Sequence, residues 1–181
     1  MYEIMENGSI RVPITQEMIA IAIADADRIG VLKRSRRGWK ATFIGTLGEL
    51  ASLAYMGGAT RTNTYDHDLI WNGVRFEVKT KDRTWYPNEY RDAASVAAYN
   101  TRQVADLYAF VSLMRDEYFT GDFTQSFTDA FLMGVYPQKD YKANAVRWYE
   151  GDIDPINGWK CDMDCYNMRY IKLNLWATPS F

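Results

Sequence analysis

Hydrophobic positions change their spacing along the chain, and each spacing predicts an element. Near the N-terminus they recur at helical intervals, which predicts a helix over Gln16–Ile29, capped by Thr15, and a second over residues 46–56 that a pair of glycines ends. A continuous apolar run at residues 107–114 is typical of a strand buried on both faces. The remaining segments predict a helix over 92–104, a polar loop over 115–129, a strand over 130–136, a helix over 139–149 and a closing strand over 168–176.

The loose alternation of helices and strands, with one local hairpin, predicts an α/β fold with a mixed sheet. No repeat, low-complexity tract or Pro/Gly-rich linker divides the 181 residues, so we expect one domain over residues 1–181. The apolar runs are far shorter than the roughly 20 residues of a membrane span, and we expect a soluble, cytoplasmic chain. Cys161 and Cys165 lack the partners of a zinc site, and we expect buried or free thiols in a loop.

Residues 65–81 predict a tight β-hairpin. Asn72-Gly73 between alternating apolar and polar residues is typical of a two-residue type I′ turn, in which both central residues have positive φ. This turn fixes a register that places Asp68 opposite Glu77. Because side chains alternate between faces, one face is apolar and belongs in the core. The other face carries the charged residues Asp66, Asp68, Arg75, Glu77 and Lys79.

Directly opposed carboxylates at Asp68 and Glu77 destabilise a sheet unless a proton or a cation lies between them. Two carboxylates, the Val78 carbonyl and several waters suit Mg²⁺, with Mn²⁺ as a substitute. Lys79 lies on the same face, where its ammonium could orient an attacking water or stabilise charge on a phosphate. The alternative is a solvated face with ordinary ion pairs, and Asp66 is a second candidate for the metal carboxylate.

The order Asp68, Glu77, Lys79 resembles the signature of the PD-(D/E)xK nuclease superfamily, an Asp ahead of a hairpin and Glu-x-Lys on the following strand. His67 stands where the name of the superfamily has proline, and the resemblance covers about residues 45–114. It implies a restriction-endonuclease-like core, which is an α/β fold with a central mixed β-sheet flanked by helices, and a Mg²⁺-dependent DNA endonuclease. The pattern also looks like that of small nucleases of this superfamily from tailed bacteriophages, which implies the cytoplasm of a host cell.

A further acid, Glu49, belongs to the predicted helix upstream of the hairpin. In many members of the superfamily such a helix adds a carboxylate to the metal site, often next to a glycine, and Gly48-Glu49 matches that setting. Residues 46–49 also fit a capping box, in which Thr46 begins the helix and the Glu49 carboxylate bonds to a backbone N–H. The metal role is favoured because Gly48 permits close approach of another backbone.

A net charge of −2 argues against a protein that coats nucleic acid by bulk electrostatics, although a local basic surface remains possible. Basic residues cluster ahead of the second helix and again after the motif strand, where they mix with aromatic rings able to stack on bases. Gln103, on the predicted helix 92–104, resembles a polar residue that some branches of the superfamily direct at the site. The candidates for DNA contact are Arg34, Arg36, Arg37, Lys40, Lys81, Arg83 and Gln103. A solvated basic face is the alternative.

Two other functions stay open on the sequence. A Holliday junction resolvase, or another structure-selective nuclease, would share the site and would need a homodimer to cut two strands symmetrically. A non-catalytic DNA-binding module with the same core is the alternative of a different class, although the complete Asp…Glu-x-Lys set argues against loss of catalysis. Triad chemistry is almost excluded because His67 is the single histidine, which we expect to be structural.

Overall fold

The computed structural model describes residues 2–29, 38–62, 64, 66–99 and 103–176. The helices are α1 (Gln16–Ile29), α2 (Trp39–Met56) and α3 (Gln138–Asn144), with 3₁₀ turns at Phe123–Ser126 and Tyr170–Lys172. The strands are β1 (Glu3–Ile4), β2 (Ile10–Pro13), β3 (Thr60–Arg61), β4 (Leu69–Trp71), β5 (Val74–Arg83), β6 (Ala93–Ala97), β7 (Leu107–Arg115), β8 (Phe127–Pro137), β9 (Val146–Trp148) and β10 (Cys165–Arg169).

Two sheets organise these strands. The larger has seven strands in the order β1-β2-β8-β7-β5-β4-β3, and the smaller has three in the order β6-β10-β9. Strands β5 and β7 run parallel, whereas the other neighbours are antiparallel, so the large sheet is mixed. Helices pack against it, and the prediction of an α/β fold with a mixed sheet is confirmed at this level. No helix in the described ranges is long and apolar enough to cross a membrane.

One core cluster lies between the large sheet and helices α1 and α2. Phe43 and Leu47 of α2 are buried there, together with Val78 of β5 and Val111 of β7. Gly48 brings α2 especially close to β5, because a Cβ atom at this position would overlap the Thr80 side chain. The helix that carries Glu49 is therefore packed directly on the strand that carries Glu77.

The opposite face of the large sheet is covered by α3 and the small sheet. Aromatic residues fill this second cluster: the ring centroid of Tyr141 lies 5.4 Å from that of Tyr108 and 5.3 Å from that of Phe110. Ala94 and Val96 of β6 complete it from the small sheet. The two clusters together leave β7 and β8 buried on both faces.

Both predicted N-terminal helices form, but only the first begins where expected. Thr15 Oγ1 accepts a hydrogen bond from the Met18 N–H at 3.2 Å, as predicted for an N-cap. The second helix begins at Trp39, so Thr46 lies in its interior and the capping box is wrong. Apolar residues ahead of Thr46, including the buried Phe43, extend the helix upstream.

The predicted strands at 107–114 and 130–136 are confirmed as parts of β7 and β8, and the loop over 115–129 ends where β8 begins at Phe127. The helix over 92–104 is wrong, because residues 93–97 form β6. Alanines favour helix, but here pairing with β10 and alternate burial of Ala94 and Val96 decide the outcome. The helix over 139–149 ends at Asn144, since the next residues form β9, and the closing strand lies at Cys165–Arg169.

Candidate active site

Three carboxylates from three separate segments of the chain line one cavity of about 510 Å³. Glu49 comes from α2, Asp68 from the residue before β4, and Glu77 from β5. The Glu77 side chain is only 6% exposed and that of Glu49 17%. The structure therefore brings the three sequence-predicted acids to one buried place.

The Asn72-Gly73 turn is confirmed, with φ of 49° and 80°, and it sets the predicted pairs Trp71–Val74, Ile70–Arg75 and Leu69–Phe76. Strand pairing stops at Leu69. The extension of this register to a direct Asp68–Glu77 strand pair is wrong, because β4 begins one residue later.

Asp68 reaches β5 through hydrogen bonds instead. Its backbone N–H donates to the Phe76 carbonyl at 2.9 Å, and its Oδ2 accepts from the Val78 N–H at 2.7 Å. Since the N–H and C=O of one strand residue point to the same edge, the Val78 carbonyl also faces the Asp68 side of β5. Asp66, the other candidate carboxylate, is exposed to solvent and does not line the cavity.

Glu77, Lys79 and Gln103 form a triangle of hydrogen bonds. Lys79 Nζ donates to Glu77 Oε1 at 2.8 Å and to Gln103 Oε1 at 2.9 Å, and Gln103 Nε2 donates to Glu77 Oε1. The ammonium also lies 5.7 Å from the centroid of the Tyr108 ring. Gln103 thus reaches the site as predicted, although it lies in an irregular segment before β7 and not on a helix.

Arg61, which the sequence did not single out, neutralises the second side of the site. Its Nε donates to Glu49 Oε2 at 2.6 Å, its Nη1 pairs with Asp25 of α1, and its Nη2 lies 3.3 Å from Thr46 Oγ1. A lone arginine on a two-residue strand carries no local signal of this role. The pairing arises because α2 begins early enough to place Thr46 and Glu49 beside β3.

Burial raises the pKa of all three acids, and repulsion from a neighbouring carboxylate adds to the shift at Glu49 and Glu77. Burial raises the pKa of Glu49 to about 7, and the charge of Asp68 adds to that shift. Burial also raises the pKa of Glu77 to about 7 against the opposing charge of Lys79, while Asp68 again adds to the shift. The pKa of Asp68 is raised by burial, although the hydrogen bond from Val78 opposes it. A divalent cation is one means of relieving such crowding.

The donor groups suit Mg²⁺ in kind, because they are hard carboxylate and carbonyl oxygens. Within the described ranges, however, no three Asp, Glu, His or Cys side chains are gathered closely enough to hold a metal ion by themselves. Glu49 and Glu77 are instead paired with Arg61 and Lys79. Asp68, Glu77 and the Val78 carbonyl therefore offer a partial ligand set that water would complete.

The basic residues predicted to contact DNA differ in what their side chains contact. Lys40 lies over the Phe123 ring and Lys81 over the Trp159 ring, with Nζ to centroid distances of 4.6 and 4.9 Å. The Arg83 side chain is 10% exposed and pairs with the fully buried Asp92 at 3.3 Å, which commits its charge to the interior. Three further candidates lie outside the described residues: Arg34, Arg36 and Arg37.

Cys161 and Cys165 are free and buried, as expected from the sequence. Both ring nitrogens of His67 are buried and have no hydrogen-bond partner in the part of the chain that the structure describes. The structural role expected for His67 stays a prediction.

Comparisons with known proteins identified no family for the chain. No model of a protein family matched it, and neither the curated proteins nor the solved structures gave a match. The site is accordingly interpreted from its own geometry and from the motif that Asp68, Glu77 and Lys79 form.

Proposed function

We propose that the protein is a Mg²⁺-dependent DNA endonuclease with a restriction-endonuclease-like core, which hydrolyses phosphodiester bonds. One observation carries the proposal: Glu49, Asp68 and Glu77 converge on one buried cavity, with Lys79 bonded to Glu77. Buried carboxylates of raised pKa that share one cavity are typical of functional sites, and a bound cation would offset the cost of burying them together.

Each residue has a role that follows from its contacts. Asp68, Glu77 and the Val78 carbonyl would hold the ion, and Glu49 would contribute from α2 once its pairing with Arg61 loosens. When bound, Mg²⁺ lowers the pKa of a coordinated water and stabilises charge on the phosphate. Lys79 would orient the attacking water or stabilise the negative charge that develops on the phosphate. Gln103 would hold Lys79 and Glu77 in their relative positions through the observed triangle.

Nicking of supercoiled plasmid in Mg²⁺, with and without chelator, tests this proposal. We expect Asp68→Asn and Lys79→Ala each to slow nicking by about 100-fold or more. Asp66→Asn is the matched control, because it removes a carboxylate two residues away that is exposed and outside the cavity. Equal rates for Asp68→Asn, Asp66→Asn and the unmodified protein would show that the catalytic assignment is wrong.

A non-catalytic nucleic-acid-binding module is the second candidate, and one observation favours it. Glu49 and Glu77 already have internal cationic partners in Arg61 and Lys79, as expected of a site that no longer needs metal. Titration calorimetry with Mn²⁺ separates the two functions. Binding that Asp68→Asn abolishes supports the nuclease, whereas no binding at millimolar Mn²⁺ together with retained DNA affinity supports the module.

A further inference from the structure

A second cavity, of about 600 Å³, adjoins the candidate active site at Lys79. It lies between the second half of β5 and the small sheet. Strand β4 pairs only with Val74–Phe76 at the start of β5, so among the described residues no strand neighbours β5 on that side beside the groove. Lys79 lines this groove and also bonds Glu77, which makes the groove continuous with the carboxylate cluster.

The floor of the groove is one face of the small sheet, and it consists of small residues. Ala97 pairs with Cys165, Ser95 with Asn167, and all four side chains line the groove. Protein interiors are normally close-packed. The small side chains on this face do not fill the volume in front of them, and the groove stays open. The volume of about 600 Å³ lies in the range of pockets that bind small ligands.

The walls carry aromatic rings and cations. Lys81 Nζ lies 4.9 Å from the centroid of the Trp159 ring, which is half-buried at one side of the groove. Trp85, 47% exposed, lines it as well, with the Arg91 guanidinium 5.4 Å from its ring centroid. Rings of this kind stack on nucleobases without regard to sequence.

The remaining lining is of mixed polarity. Asn157 and Asn167 contribute amides, and three aspartates contribute carboxylates: Asp82, Asp154 and Asp162. A groove that binds only phosphates would not be lined by carboxylates, which repel them. Carboxylates can instead accept hydrogen bonds from the amino groups on the edges of bases. In a duplex the faces of the bases are stacked on one another, so rings in a groove can contact base faces only in an unpaired strand.

We propose that this groove binds an unpaired DNA strand beside the scissile phosphate, so that the substrate is DNA with a single-stranded segment, such as a flap or an overhang. The inference rests on the proposed nuclease function for its biological use. The binding itself needs no catalysis and is measured separately.

Fluorescence anisotropy in chelator, where no cleavage occurs, tests the groove with a labelled single strand of about 12 nucleotides and a blunt duplex containing the same sequence. The variants are Trp159→Ala, which removes a wall, and Ala97→Phe, which fills the groove from its floor. Tyr118→Ala is the matched control, since it removes an aromatic residue that is 84% exposed and does not line the groove.

We expect the unmodified protein to bind the single strand more tightly than the duplex, and each groove variant to weaken single-strand binding by about tenfold. Tyr118→Ala should leave binding unchanged. The proposal is overturned if the groove variants retain full affinity, or if the duplex binds as tightly as the single strand. Should Trp159→Ala fail to fold by circular dichroism, Ala97→Phe decides, because Ala97 is only half-buried and faces open space.

Cleavage assays distinguish failure of the groove proposal from failure of the nuclease proposal. Groove-dependent binding without Mg²⁺-dependent cleavage would overturn the nuclease and leave the groove in place. Cleavage of flap DNA that both groove variants perform at the full rate would overturn the groove and leave the nuclease.

Discussion

At the scale of single residues, Gly48 sets how closely the acid-bearing helix approaches the acid-bearing strand. A methyl group there would overlap Thr80 Oγ1 and lie 2.9 Å from Cγ2 and 3.0 Å from Cβ, so no rotation of Thr80 relieves the clash. We expect Gly48→Ala to lower the free energy of unfolding by about 1–3 kcal/mol. Urea denaturation measures the change.

Gly45 is the control in the same helix, since a Cβ atom there meets nothing within 4 Å. Gly45→Ala should raise stability by about 0.5–1 kcal/mol, because alanine costs less backbone entropy than glycine in a helix. If both substitutions stabilise the protein, the close contact between α2 and β5 is not maintained in solution.

The acids also predict how stability depends on pH without metal. Glu49 and Glu77 have pKa values of about 7 in the folded protein and ordinary values near 4.5 when unfolded. The folded state thus binds protons more tightly than the unfolded state. Protonation of the two acids therefore adds to the free energy of unfolding, and this contribution is complete below pH 4.5 and is lost as pH rises through 7. In the presence of chelator, we expect the midpoint temperature of thermal unfolding to decrease as the pH is raised from 5 to 8.

Substitutions and added Mg²⁺ distinguish the titration of the buried acids from the titration of the other carboxylates of the protein. Glu77→Gln should flatten the fall of the midpoint, whereas Glu6→Gln, in an exposed loop, should leave it unchanged. Mg²⁺ binds the deprotonated carboxylates, so its stabilising effect should grow as pH rises. A midpoint that rises steadily from pH 5 to pH 8 without metal would contradict the raised pKa values.

At the scale of elements, the side chain of Gln138 positions the segment that carries Gln103. Its Nε2 donates to the Gln103 carbonyl at 2.9 Å and its Oε1 accepts from the Ala105 N–H at 2.9 Å, as a neighbouring strand would. Gln138→Leu leaves these two backbone groups without partners. We expect a loss of about 1–3 kcal/mol in unfolding free energy, measured in urea.

The same substitution should slow plasmid nicking, because Gln103 would no longer hold Lys79 and Glu77. Lys139→Ala is the control, since it alters the adjacent, exposed position of α3 and leaves both Gln138 hydrogen bonds to the segment in place. Nicking at the full rate in a Gln138→Leu protein that is clearly destabilised would show that the segment does not position the site.

The elements also show which features the sequence could predict. Asn72-Gly73 predicted its hairpin because positive φ is a local requirement, and the hairpin then brought Asp68 and Glu77 together. Residues 93–97 were mispredicted because their strand depends on β10, about seventy residues away in the chain. Arg61 and Trp159 were missed for the same reason: their partners come from elements that no local spacing links to them.

At the scale of the whole molecule, a buried ion pair joins the two sheets. Arg83 ends β5 of the large sheet, and Asp92 precedes β6 of the small sheet with no exposure to solvent. Asp92 also accepts hydrogen bonds from the Asn88 N–H at 2.9 Å and the Trp85 indole N–H at 3.3 Å. The pair therefore fixes one side of the groove relative to the candidate active site.

A double-mutant cycle measures how strongly this pair joins the sheets. Removing Asp92 leaves the Arg83 charge without its ion-pair partner in the interior, so Asp92→Asn should cost about 3–5 kcal/mol. Arg83→Met should cost less, because the more exposed Arg91, with its Nε 3.7 Å from Asp92 Oδ1, still partly compensates Asp92. The double variant should cost at least about 1 kcal/mol less than the sum. The exposed pair of Arg75 and Asp106, with side chains 41% and 45% exposed, is the matched comparison, and water should limit its coupling to about 1 kcal/mol or less. Equal coupling in the two cycles would mean that water reaches Arg83 and Asp92, and that the small sheet is held to the large one by the aromatic cluster around Tyr141 alone.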